Sequence, residues 1–162
     1  MARTPAAALT PGRPLTLAGV ADGAEGLVVS DLARAVAARA HAPATSLVVV
    51  CRDGQRMAAL ARGLGFFAPD LVIEQFPAWD CLPYDRVSPH AAFVAQRMTA
   101  LSRLVRVKGR GRPSLLLTTV NAILQRVPAR DFVARQSLSR AGSKSTPGSF
   151  FHWHRCAGYV PA

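Results

Sequence analysis

The stretch SLVVVCRDGQRMAALARGLGFFAPDLVI, residues 46–73, decides the fold class. Ser46–Cys51 is a short β-branched and aliphatic run of the kind found in buried strands. Asp53 is a residue type that caps helices, and Met57, Leu60, Ala61 and Leu64 recur behind it at helical spacing. Gly63 and Gly65 are expected to stop that helix, and Leu71-Val72-Ile73 opens another strand-like run. Strand, helix and strand joined by short links describe neighbouring parallel strands with a helix packed across them.

The same alternation continues on both sides. Upstream, Leu15-Thr16-Leu17-Ala18 reads as a first strand ending at Gly19, and Leu27–Ala40 carries Val28, Leu32, Val36 and Ala40 at helical spacing. Downstream come a proline-rich loop, Phe76–Pro89, a long helix from about Pro89 to Val105, and the turn KGRGRP at 108–113. Ser114–Val120 is a further buried-type strand, and Asn121 can cap a short helix through Gln125. The expected fold class is α/β: a parallel sheet flanked by helices, of P-loop-NTPase-like topology with a degenerate phosphate loop, plus a truncated irregular C-terminal tail. The expected segments are a loose Pro/Ala leader at 1–14, an α/β domain at 15–130, and a tail at 131–162 in which the apolar pattern decays.

Composition bounds the function classes. The chain has 162 residues, 50% apolar, which is enough for one packed domain and too apolar for a mostly disordered chain. Its three cysteines, at 51, 81 and 156, are too few and too scattered for a disulfide scaffold, and Cys51 reads as a small core residue. No run approaches the length of a membrane span, and Pro5, Pro11 and Pro14 interrupt any signal-peptide core, so a reducing cytoplasm is the expected location. The formal net charge is +11. It is not spread evenly: residues 1–85 hold 7 basic and 8 acidic groups, residues 86–162 hold 13 and 1. Eighteen of the 20 basic residues are arginine, a bias that a GC-rich coding sequence also produces.

A glycine-rich turn between a strand and a helix is where nucleotide-binding α/β folds hold phosphate. Here the turn reads Gly19-Val-Ala-Asp-Gly23-Ala-Glu25-Gly26. Aligned with G-x-x-x-x-G-K-[ST] from Gly19, the second glycine becomes Ala24, the lysine becomes Glu25 and the magnesium-binding hydroxyl becomes Gly26. A carboxylate at the lysine position repels phosphate, and Asp22 adds to that repulsion. The turn is therefore expected to join two elements without binding a nucleotide.

The segment FPAWDCLPYDRVSPH, 76–90, combines three prolines that fix backbone angles with Trp79, Leu82 and Tyr84 as large buryable surfaces. It is either packed on its own domain or presented to a partner. In the helix that follows, Phe93, Met98, Leu101, Leu104 and Val105 form one apolar stripe, and Arg97 falls inside it. A guanidinium there must reach water or find a partner, and Asp80 and Asp85 are the expected partners.

Pro77-x-Trp79-Asp80-x-Leu82-Pro83-Tyr84-Asp85-x-x-Ser88-Pro89, then Arg97 with Leu101, then LLLTTVNAILQRV at 115–127, resemble the N-terminal module of the bacterial transcription-repair coupling factor, Mfd. The resemblance runs from about Leu15 to Arg130. The family's module is itself similar to the excision-repair subunit UvrB with a decayed phosphate loop; UvrB keeps the lysine this chain lacks. The resemblance implies a protein that recognises RNA polymerase stalled at a DNA lesion, displaces it by ATP-driven translocation on duplex DNA, and recruits UvrA. It implies no ATPase in the module itself, with ATP and Mg belonging to a motor that has no counterpart here. It also implies a second domain, the UvrA-docking one, from near residue 131 to well beyond 162. The sequence RQSLSRAGSKSTPGSFFHWHRCAGYVPA at 135–162 departs from that pattern, so a truncated or frameshifted product is expected and no UvrA-contacting residue carries over.

Two smaller constellations complete the reading. His152, His154 and Cys156 offer three metal-ligand types on an extended segment, one short of a closed zinc site with no second cluster, so no metal is expected. No Ser–His–acid motif nominates a catalytic residue. Arg103, Arg106, Lys108, Arg110 and Arg112 lie in a stretch, Arg86–Arg130, with nine basic residues and no acid. That cluster is either a phosphate-contacting surface, without aromatics for base stacking, or a solvated turn. The alternative to an interaction module is an independent nucleotide-binding or ATP-hydrolysing α/β protein.

Overall fold

A computed structural model of the chain describes residue 10 and residues 12–39, 46–81, 89–106 and 114–137, the side chains of 39, 46, 106 and 135–137 excepted. Among the described residues eight elements follow in order: α1 (Glu25–Arg39), β1 (Ser46–Cys51), α2 (Gly54–Phe67), β2 (Val72–Phe76), α3 (Ala91–Arg106), β3 (Ser114–Thr119), α4 (Val120–Leu124) and α5 (Arg130–Ser137). The three strands form one parallel sheet in the order β1-β3-β2. In register, Leu47 and Ile73 flank Leu115, and Val50 and Phe76 flank Thr118. The α/β class expected from residues 46–73 is thus the class observed.

Strand alternation sorts side chains into two layers. On one face Leu115 and Leu117, both fully buried, meet Cys51, Met57, Leu64 and Ala33, with Val29, Leu47, Val49 and Ile73 packed around them; this is the main core, covered by α1 and α2. On the other face Phe76, Ala100 and Ala122 cluster with Leu101 and Leu116 beneath α3. Helix α5 packs on α3 and buries Val133. The α3 layer covers β2 and β3 but leaves Val48 and Val50 of β1 about half exposed, so β1 is less buried than its composition predicts.

Several local expectations are corrected. Leu15–Ala18 forms no strand. The run is only four residues between Pro14 and Gly19, and its two leucines stay exposed, so neither ladder bonds nor burial hold it in a sheet. Helix α2 runs through Gly63 and Gly65 to Phe67, because packing against α1 outweighs the roughly 1 kcal/mol propensity cost of each glycine. Asp53 does cap it, accepting the Arg56 N–H at 2.8 Å. The cap of α4 is Thr119, whose hydroxyl accepts the Ala122 N–H at 3.2 Å, and not Asn121. The helix starts where the β3 ladder stops, opposite Cys51, and that point fixes which polar residue caps it.

Candidate functional site

The glycine-rich turn at 19–24 leads directly into α1, but with no strand at Leu15–Ala18 it lacks the strand–turn–helix setting expected of a phosphate loop. Gly19 and Gly23 have φ values of 76° and 89°, left-handed conformations that a side chain disfavours. Glu25 folds back so that its Oε2 accepts the Gly23 N–H at 3.1 Å, while Oε1 pairs with the Arg56 guanidinium of α2. Asp22 lies 3.5 Å from the same guanidinium. The Glu25 carboxylate is thus already neutralised by an arginine from the next helix. Gly26 is inside α1, and its role is packing. A Cβ there would lie 2.9 Å from the Gly63 carbonyl carbon, so α1 and α2 cross on two bare backbones. Glu25 and Gly26 supply neither the lysine nor the hydroxyl that the phosphate-loop pattern requires.

A second arrangement is built around Arg97. Helix α3 buries Val94, Arg97 and Ala100, a line that passes through the arginine rather than beside it. The guanidinium is sandwiched between the rings of Phe76 and Trp79, 4.1 and 4.3 Å from their centroids. Its Nη1 donates to the Pro77 carbonyl at 2.6 Å and to Gln125 Oε1 at 3.0 Å. That same oxygen accepts the Trp79 N–H at 2.9 Å. Burial lowers the Arg97 pKa to about 10, which leaves it charged at neutral pH.

Arg97 therefore does fasten the loop to the helix, through a carbonyl, an amide and two rings. Asp80 has a different role: both its oxygens accept the His90 N–H at 3.2 Å, one residue before α3 begins. A neutral amide and a carbonyl satisfy a buried guanidinium without desolvating a second ion, which is why a carboxylate is not required. Of the string that marks the loop, Pro77 is buried, Trp79 and Pro89 are half-buried, and Asp80 is exposed. Leu82, Pro83, Tyr84, Asp85 and Ser88 lie outside the described residues. Trp79 is packed on its own domain.

The basic cluster is only partly described. Arg103 is 58% exposed in its side chain, and its Nη1 contacts both oxygens of Glu74 at 2.8 and 3.0 Å. Glu74, on β2, is 8% exposed. The side chain of Arg106, and Lys108, Arg110 and Arg112, lie outside the described residues, as do His152, His154 and Cys156. Among the described residues no group of three His, Cys, Asp or Glu side chains could hold a metal.

Comparison with known proteins bears on the loop and helix just described. A transcription-repair-coupling factor from Myxococcus xanthus is 33% identical over an alignment covering 86% of this chain. Seven curated relatives of this chain carry that name. Two others among them come from Rickettsia bellii, 32% identical over 56% of the chain, and Escherichia coli K12, 30% identical over 64%. The chain spans only 13%, 8% and 8% of the length of these three relatives. No family model matches it.

The arrangement described here includes residues that sequence reasoning overlooked. Gln125 was legible only as the end of a short helix, yet it accepts from both Arg97 and Trp79. Phe76 appeared as the start of a loop and forms one wall of the cation's sandwich. Arg56 and Glu74 carried no motif at all. The available signal was the converse one: a buried arginine demands partners, and Gln125 is the polar residue ending an otherwise apolar run within the same resemblance.

Proposed function

We propose that this chain is a non-catalytic interaction and regulatory module of transcription-coupled nucleotide excision repair, equivalent to the UvrB-like N-terminal part of a transcription-repair coupling factor. In full-length form such a protein displaces stalled RNA polymerase from damaged duplex DNA and recruits UvrA. In this reading the α/β domain serves as a rigid scaffold. The Arg97 arrangement fixes the base of the Pro77–Pro89 loop, and the basic residues after α3 add phosphate attraction. The names of the relatives support the repair role. Among the described residues no helix is long and apolar enough to cross a membrane.

One observation supports the non-catalytic part: Glu25, which stands at the lysine position of the phosphate-loop pattern, is already paired with Arg56 and with the Gly23 N–H. An ATP phosphate entering there would have to displace a neutralised internal carboxylate, with no hydroxyl at Gly26 for magnesium. A ligand present at one hundred times its Kd stabilises a protein by about 2.7 kcal/mol, several degrees in Tm for a chain of this size. The expected result is a thermal shift below about 1 °C with millimolar ATP and magnesium, and no phosphate release. A saturable shift of several degrees would instead establish the nucleotide-binding alternative.

A further inference from the structure

We draw no further inference here: the strongest candidate, the half-exposed apolar face of β1 that Val48 and Val50 form beside the α3 layer, carries nothing because nothing in the structure shows what covers it.

Discussion

Gln125 Oε1 accepts two hydrogen bonds at once, from Arg97 Nη1 at 3.0 Å and from the Trp79 N–H at 2.9 Å. One amide oxygen at the C-terminal cap of α4 thereby ties α3 to the loop that follows β2. The two aromatic rings complete the enclosure of the guanidinium.

Arg97 and Gln125 are expected to be the most sensitive pair in the domain. Arg97→Ala removes a fully buried side chain and leaves an amide oxygen and a carbonyl short of a donor, at a cost of about 3 kcal/mol. Gln125→Ala removes the oxygen that accepts from the Trp79 N–H and from Arg97 Nη1, at about 2 kcal/mol. Arg97→Lys should rescue little, because an ammonium cannot stack flat between Phe76 and Trp79. Urea unfolding of the three variants and the double mutant checks the ranking, and additive losses would count against a shared arrangement.

Gly26 of α1 and Gly63 and Gly65 of α2 should respond differently to alanine. Gly26→Ala places a methyl 2.9 Å from backbone and is expected to destabilise by about 2 kcal/mol. Gly65→Ala meets no atom within 4 Å and should stabilise by up to about 1 kcal/mol through helix propensity. Gly63→Ala, whose nearest contact is 3.8 Å, should fall between the two. Thermal melts of the three single variants decide the order.

Acid should weaken the fold partly through Asp53 and Asp70. The Arg56 N–H, and then Arg52, hold the Asp53 carboxyl below its ordinary value of 3.8, and Arg34 does the same for Asp70. A carboxyl with a depressed folded pKa stabilises above its unfolded pKa and loses that contribution as pH falls through the folded one. Stability should therefore decline as pH drops below about 4. Asp53→Ser, which keeps a capping oxygen but cannot ionise, should flatten that decline in urea titrations between pH 2 and 6 while leaving α2 formed.

Binding of the basic region to nucleic acid should be weak and salt-dependent. Duplex DNA is expected to retain the chain only at low ionic strength, with a log K against log[salt] slope of about −0.9 for each phosphate contacted. Arg106, Lys108, Arg110 and Arg112 replaced together by Gln should reduce that slope. Arg103→Gln should reduce it less, because Glu74 already balances Arg103. If heparin and duplex fail to retain the unaltered chain, the cluster is a solvated turn.

Much of this was written in local sequence. The β-branched run 46–51 and the helical spacing behind Asp53 each reflect chemistry within a few residues of chain, so strand and cap were legible without coordinates. What only the tertiary structure decided involves partners distant in sequence. Arg97 meets Pro77 and Gln125 across 20 and 28 positions, Arg103 meets Glu74 across 29, and Arg56 meets Glu25 across 31. Local pattern established that Arg97 needed a partner and suggested an acid. Packing supplied an amide, a carbonyl and two rings, because those groups satisfy a buried cation without the cost of burying a second charge. The glycines show the same division: their spacing in α2 suggested a stop, and the approach of α1 made Gly63 part of a helix crossing.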